Sequence, residues 1–311
     1  MILFAVRSLV VGLGFFGVVY CLLSLLVVCA WQGIRFLSRD SGVRSARVLF
    51  GLRIFPLVGS AFITVAFALP AFYRLEGGMD EDLGTLLFGL GTAFLLATGL
   101  VRVLTAQNRA SRLVEAWLKE AGVLDARAAR TTLQVKQGGP PLLLYGISTP
   151  KVLVSENAVA LLSPEELRVA VEHEMGHLRS RDNLKKLIMH GAPFPGMGSL
   201  ERAWQEAAEF AADEAAVSNS VDAVDLASAL IKVCHLVPVQ ESPAFTTGLV
   251  DMAGLVNVRV RRLLAWHENC SPPLRPGWVF WPSVVAALPY SAAHYGQALL
   301  VTHRLTELII H

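Results

Sequence analysis

Charged residues are scarce in this 311-residue sequence, where they make up 17% of the total. A soluble domain usually has about 25%. Hydrophobic residues reach 54% and the mean hydropathy is +0.51, so much of the chain does not face water. The net charge of +2, with no basic run that carries interleaved aromatics, argues against a nucleic-acid partner.

Cysteine is also sparse, and no two cysteines form a CxxC pair. The four are Cys21, Cys29, Cys234 and Cys270. This spacing favours buried free thiols over a disulfide framework or a thiolate metal site. Internal repeats and low-complexity segments are absent from the sequence as well.

Three uncharged runs stand out in the N-terminal third, at residues 8–34, 54–73 and 83–101. Each is near or above the ~20 residues that a helix needs to cross the hydrocarbon core of a bilayer. They predict three transmembrane helices. A cleaved signal peptide is the alternative for the first run, which is however longer than the roughly 7–15 apolar residues of such peptides.

A fourth, weaker run covers residues 276–302 and is interrupted by Pro282, Pro289 and His294. We predict a fourth transmembrane helix there, followed by a short tail at 303–311. A helix that is buried in protein or lies on the membrane surface is the alternative, because prolines and ionisable residues disfavour insertion.

The charges of the loops predict the orientation. The first loop carries Arg35, Arg39, Arg44, Arg47 and Arg53 against Asp40, whereas the second carries Glu76, Asp80, Glu81 and Asp82 against Arg74. Positive loops stay in the cytoplasm. We therefore expect a cell-membrane protein with its N-terminus outside, a transmembrane region at 1–107 and a cytoplasmic domain at 108–275.

The cytoplasmic segment predicts a mixed α+β domain with a small β-sheet, in a chain that is mainly α. Helical spacing covers residues 108–121, and strand-like pieces follow at Thr131–Val135, Leu142–Tyr145 and Val152–Val154. Ser163 then opens a helix as N-cap, with Pro164 in the first position and Glu166 completing a capping box.

On that helix stands the run His173-Glu174-Met175-Gly176-His177. Residues four apart share one helical face, so both imidazoles reach one cation, and the intervening Glu is placed to deprotonate a water. Zn²⁺ suits imidazole and carboxylate ligands. The alternative is a polar helix face with two ordinary histidines.

A second helix, for which Ser199 is the expected cap, offers the third ligand that a catalytic zinc site needs. Glu209 is our candidate, with Asp213 one turn later to hydrogen-bond a ligating histidine. Glu206 lies on the same face and is the rival ligand. A solvated acidic face is the alternative for the whole set.

The two motifs together resemble the HExxH…ExxxD signature of gluzincin metallopeptidases. The short spacing from His177 to Glu209, the runs 144–154 and 162–167, and the residues His177–Asn183 are similar to the BlaR/MecR-type membrane peptidases. The HtpX/CAAX-processing type is the competing family. Because only the tail 303–311 follows residue 302, we expect neither the penicillin-binding sensor domain of the β-lactam receptors nor a role in β-lactam sensing.

The resemblance implies a mechanism. Zinc is bound by His173, His177 and Glu209, Asp213 hydrogen-bonds the first histidine, and Glu174 moves a proton from the attacking water to the leaving amine. An edge strand at Leu142–Tyr145 is expected to pair with an extended peptide.

The sequence does not identify the donor that stabilises the oxyanion. His235, His190, Tyr145 and Arg262 are candidates for the donor that stabilises the oxyanion, although an ordinary structural role is expected for each. Asp182 is expected to cap the first metal helix or to pair with Arg179 or Arg181. The run 187–200 is expected to be a loop against the membrane.

The sequence therefore predicts a zinc endopeptidase in the lipid bilayer. Its substrate would be a cytoplasmic or membrane-proximal protein, such as a regulator or the chain itself. An HtpX-like quality-control protease and a signal-transducing membrane protein with a non-catalytic zinc site are the alternatives. The sequence carries no signal of an oligomeric state.

Overall fold

A computed structural model describes most of the chain and shows a mainly helical protein, as predicted. The described residues are 2–37, 46–75, 83–118, 122–123, 132–135, 141–146, 151–234, 255–266, 296–297, 299–301 and 304. Most of the fourth run, 276–302, lies outside them, so that span stays a prediction. The chain forms two compact units, which are the described parts of Met1–Arg39, Gly51–Thr98 and Ser271–His311 and those of Asp40–Phe50 and Gly99–Cys270.

The N-terminal part of the chain consists of long helices. They are α1 (Ile2–Leu37), α2 (Ala46–Ile63), a π-helical turn (Thr64–Ala68), α3 (Leu69–Leu75) and α4 (Leu83–Leu118). The π turn lies just before Pro70, which has no N–H to continue the regular ladder. Helix α4 continues to Leu118 and so includes residues 108–118 of the segment that we predicted as a separate helix at 108–121, whose last three residues lie outside the described ones.

Among the residues that the structure describes, three stretches are long and apolar enough to cross a membrane, namely Ser8–Ile34, Ala46–Arg74 and Leu86–Trp117. Large apolar side chains on them face outward: Phe62, Val65 and Phe94 are 64–68% exposed. Such surface is unfavourable in water but not in lipid. These helices indicate a membrane protein, while its orientation stays a prediction.

Close packing inside the first unit depends on small residues. A Cβ atom on Gly17 of α1 would overlap the hydroxyl of Thr92 on α4. Lipid tails are as apolar as leucine, so membrane helices associate through such close van der Waals contact. Gly17 therefore allows α1 and α4 to approach each other.

The second unit contains a four-stranded sheet in the order β1-β2-β4-β3. Its strands are β1 (Gly122–Val123), β2 (Thr132–Val135), β3 (Leu142–Tyr145) and β4 (Lys151–Ser155). Strands β2 and β4 are parallel and the other two pairs are antiparallel. The three predicted strands agree with β2–β4 to within a residue at each end, and β3 is an edge strand as expected.

In the described part of the chain between residues 156 and 266, six helices follow the sheet. They are α5 (Glu156–Leu161), α6 (Pro164–Ser180), α7 (Asp182–Gly191), α8 (Gly198–Ala216), α9 (Ser220–Cys234) and α10 (Val256–Leu264). The capping box that begins α6 is present: Ser163 Oγ accepts from the Glu166 N–H, and the Glu166 carboxylate accepts from the Ser163 N–H.

Two expectations about the segment after α6 are wrong. Residues 187–191 belong to helix α7, because a sharp turn at Arg181, in the left-handed conformation (φ 54°), ends α6 and starts the next helix at once. Helix α8 begins at Gly198, and no side chain caps it, so Ser199 is inside its first turn.

Helix α6 is the central element of the second unit and contacts β3, β4, α7, α8 and α9. Its apolar residues Val169 and Ala170 are fully buried against the sheet and α9, with Val154 and Leu230 among their neighbours. Buried positions at helical spacing fix the rotation of a helix about its axis. The same packing decides where the two histidines point.

Candidate metal centre

Helix α6 presents both histidines of the HExxH motif on one buried face. The Nε2 atoms of His173 and His177 lie 3.3 Å apart. The two residues are 0% and 1% exposed. Two imidazole nitrogens that meet away from water suit a shared cation, because buried polar atoms need partners.

Helix α8 supplies the third donor. The Glu209 carboxylate lies 3.5 Å from the Nε2 atom of each histidine, Oε2 facing His173 and Oε1 facing His177. These three buried residues could hold a metal ion. Glu206, the rival ligand, is only half-buried and does not belong to this group among the described residues.

An aspartate carboxylate contacts the Nδ1 atom of each histidine, on the side of the ring away from Nε2. The Nδ1 atom of His173 lies 3.0 Å from Asp213 Oδ1, and that of His177 lies 2.8 Å from Asp182 Oδ2. A carboxylate at Nδ1 favours the tautomer with its proton there, which leaves the Nε2 lone pair for a metal. Both rings are therefore oriented with Nε2 toward the shared site.

The Asp182 contact corrects our expectation for that residue. We expected it to cap α6 or to pair with Arg179 or Arg181, but it binds His177 and the Nζ atom of Lys185, the latter at 2.8 Å. Arg179 pairs with Glu172 instead. The turn at Arg181 brings the carboxylate back toward the helix that it follows.

Arg259 on α10 is the residue that sequence reasoning missed. Its guanidinium forms an ion pair with Glu209 Oε2 at 2.8 Å and donates hydrogen bonds to both oxygens of Asp213, at 2.6 and 2.9 Å. It is 2% exposed. The only available signal was its position at helical spacing between Val256 and Leu263, the two buried apolar residues of α10.

The charges of the centre shift several pKa values. Burial and the Arg259 guanidinium lower the pKa of His173, but hydrogen bonds to Asp213 and Glu209 raise it to about 9. Burial raises the pKa of Glu209 and of Asp213, but Arg259 and His173 together hold both below their ordinary values. In the metal-free protein, both carboxylates are therefore ionised at neutral pH.

Glu174, the expected base, is 0% exposed and follows the first ligand directly in α6. Its carboxylate contributes to the electrostatic environment of Arg259. Burial lowers the pKa of that guanidinium, while Asp213, Glu209 and, to a smaller extent, Glu174 raise it. Glu174 thus belongs to the same buried cluster as the ligand group.

Three of the oxyanion candidates can be located. Tyr145 Oη is hydrogen-bonded to Ser111 Oγ at 3.0 Å, and the Arg262 guanidinium binds Glu214 and stacks on Phe210. His190, at the end of α7, is not part of the ligand group, and His235 lies outside the described residues.

The centre and the adjoining strand are closed to solvent in this structure. The three ligands are at most 5% exposed, and Leu142 and Leu144 of the edge strand are 1% exposed each. Asn183 Nδ2 donates to the Leu144 carbonyl. A peptide therefore cannot pair with β3 until this edge opens.

The geometry thus assembles three cation donors, two orienting carboxylates and a buried arginine in one place. No family model and no curated protein matches the chain.

Proposed function

We propose that this protein is a membrane zinc metallopeptidase of the BlaR/MecR type. The observation that carries the proposal is the group of His173, His177 and Glu209: the two Nε2 atoms lie 3.3 Å apart, and each lies 3.5 Å from a different oxygen of the Glu209 carboxylate. A tetrahedral zinc ion about 2.1 Å from each ligand would hold neighbouring donors about 3.4 Å apart. The donor set and its spacing therefore fit zinc.

The chain's own residues suit a hydrolytic role. Zinc, when bound, polarises a carbonyl and makes water more acidic. Glu174 would accept the proton of the attacking water and deliver it to the leaving amine. Asp213 and Asp182 would keep His173 and His177 in the ligating tautomer throughout, and the buried position would exclude competing water.

A base beside the ligands favours catalysis over a purely structural metal site, which needs no such residue. The three candidate spans suggest a substrate in or near the membrane. We propose a cytoplasmic or membrane-proximal protein, either a regulator or the chain itself, with the catalytic unit on the cytoplasmic side. An HtpX-like quality-control protease would instead cleave many misfolded membrane proteins.

The test uses the full-length protein in proteoliposomes, with zinc measured by mass spectrometry and hydrolysis measured on labelled casein and on the chain itself. Glu174→Gln is expected to keep one zinc per chain and to lose hydrolysis by at least about a hundredfold. Glu209→Gln is expected to lose both, whereas Glu206→Gln is the matched control that keeps both.

Hydrolysis at the normal rate in Glu174→Gln would show that this residue is not the base. Stoichiometric zinc without hydrolysis in any variant, together with normal cellular function of Glu174→Gln, would favour the non-catalytic signalling alternative. Proteins trapped by Glu174→Ala and identified by mass spectrometry would separate one target from many.

A further inference from the structure

The outer edge of β3 has a defined set of main-chain groups. The Ser155 N–H donates to the Pro141 carbonyl at 2.9 Å, so Pro141 faces β4. Successive residues of a strand point their main-chain groups to opposite edges. Leu142, Leu144 and Gly146 therefore face away from β4, toward the side on which another strand could add.

Asn183 already occupies part of this edge. Its Nδ2 group donates to the carbonyls of Leu144 and Gly146, each at 3.2 Å. Those two carbonyls are the groups that the N–H of an added strand would bind. The side-chain amide thus takes the place of one peptide unit of a neighbouring strand.

The other end of the same amide lacks a partner. Asn183 is 3% exposed, and its Oδ1 atom has no hydrogen-bond donor in the described part of the chain. Buried acceptors in native proteins are nearly always paired, and one that is not calls for an explanation. A ligand that brings an N–H to this oxygen would supply the missing donor.

The position of Asn183 indicates what that ligand is. It follows Asp182, whose carboxylate holds the ligand His177. A peptide that enters the metal centre along β3 would therefore pass Asn183. Both Leu144 and Asn183 are almost fully buried, so this edge would have to open before a peptide could reach the oxygen.

We propose that Asn183 is a substrate-binding residue whose Oδ1 atom accepts a hydrogen bond from a main-chain N–H of an extended peptide. The peptide would add to β3 through this amide and not directly through the carbonyls of Leu144 and Gly146. The inference rests on the proposed peptidase function, because it concerns which main-chain group of the peptide substrate Asn183 binds.

The test is a series of short peptide hydroxamates, which bind through zinc, measured on the full-length protein in detergent. In each member one main-chain N–H is replaced by an ester oxygen, which removes a donor with little change of shape. We expect one position at which the replacement weakens binding to the wild type about fivefold to tenfold. In Asn183→Ala the same replacement should have no effect.

Asn183→Asp is the second variant, since it keeps the acceptor but loses the donors to β3. Zinc content and thermal unfolding show whether each variant is folded. Even if neither variant folds, a wild-type series without a sensitive position overturns the inference.

An equal loss in the wild type and Asn183→Ala would also overturn it and leave Asn183 as a brace between α7 and β3. In both cases, zinc and binding of the parent hydroxamate would remain, so the proposed function would stand. Absence of zinc, or of parent hydroxamate binding to the wild type, would reject the proposed function and this inference with it.

Discussion

The two histidines of the metal centre have the same chemistry but different supports. His177 is held by Asp182, five residues later, and Asp182 also binds the partly exposed Lys185. His173 is held by Asp213 from another helix. Asp213 in turn depends on Arg259, 46 residues further along the chain.

His177 is therefore oriented by a residue close to it in the chain, whereas His173 is oriented through tertiary structure. The His177 support needs only the turn that ends α6. The His173 support needs α8 and α10 to pack correctly, and its arginine also holds the third ligand, Glu209. Damage on the His173 side should therefore spread further than damage on the His177 side.

The largest effect is expected from Arg259→Met, which breaks the long-range support. The change leaves the carboxylates of Glu209 and Asp213 buried without their counter-charge, at a cost of about 3–5 kcal/mol of folding free energy. Thermal unfolding of the metal-free protein in detergent measures this. Arg261→Met, at an exposed position of the same helix, is the control, and equal unfolding of both variants would contradict the role of Arg259.

Asp213→Asn and Asp182→Asn compare the two supports directly. Removing a carboxylate behind a ligating histidine typically costs 10-fold to 100-fold in metal affinity, so both should weaken zinc binding by roughly that amount. We expect the larger loss for Asp213→Asn, because Arg259 also loses a charged partner, whereas Lys185 can turn to water. Competition titration with a chelator measures both, and the reverse order would refute the comparison.

The pH dependence of zinc binding should reflect the titration of His173. Its pKa in the metal-free protein is raised to about 9, so zinc must displace a proton at neutral pH. Zinc affinity should then rise roughly tenfold per pH unit from about pH 7 and level off near pH 9. Titrations at several pH values, corrected for the chelator, test this, and a flat profile would be inconsistent with a protonated His173.

The folding stability of the metal-free protein should change with pH in the opposite direction to zinc affinity. Because the folded pKa of His173 lies above its unfolded value, the stabilisation is complete below about pH 6.5 and is lost as the pH rises through about 9. The metal-free protein should therefore unfold more easily over the same interval in which zinc binding strengthens. Asp213→Asn should reduce this dependence, since the carboxylate that raises the pKa is gone.

The smallest effect is expected from Gly176→Ala, which crowds the contact between α6 and α8, the two helices that carry the metal ligands. A Cβ atom there would lie 3.2 Å from the Cα atom of Ala212, a few tenths of an ångström too close. Ala212 lies between Glu209 and Asp213, so a shift of α8 should weaken zinc binding only a few-fold, on the order of 1 kcal/mol. Gly198→Ala is the control, because its added Cβ meets nothing within 4 Å.

Local signals in the sequence were sufficient for much of the fold. The uncharged runs gave three helices, and Ser163-Pro164-Glu165-Glu166 gave the start of α6 through its capping box. The strand at Leu142–Tyr145 was predicted at its observed bounds. These features depend on contacts within a few residues or on composition alone, which is why a single sequence shows them.

Features that depend on chain reversal were missed. The left-handed turn at Arg181 is made by a residue other than glycine, so the sequence does not mark the end of one helix and the start of the next. Residues 187–191 of α7 were therefore wrongly expected in a loop. The same turn directs Asp182 to His177, and its role was therefore overlooked. Arg259 looked like one of three basic residues in α10, although only packing selects which of them is buried.

By itself the sequence determined the helical spacing that puts His173 and His177 on one face, and the apolar lengths that suit a bilayer. Tertiary structure decided that Glu209 and not Glu206 meets them, that Asp182 and Asp213 stand behind the rings, and that Arg259 joins two of the acids. The physical reason is that periodicity fixes which residues share a face of one helix, whereas the rotation and approach of separate helices depend on how their buried faces pack together.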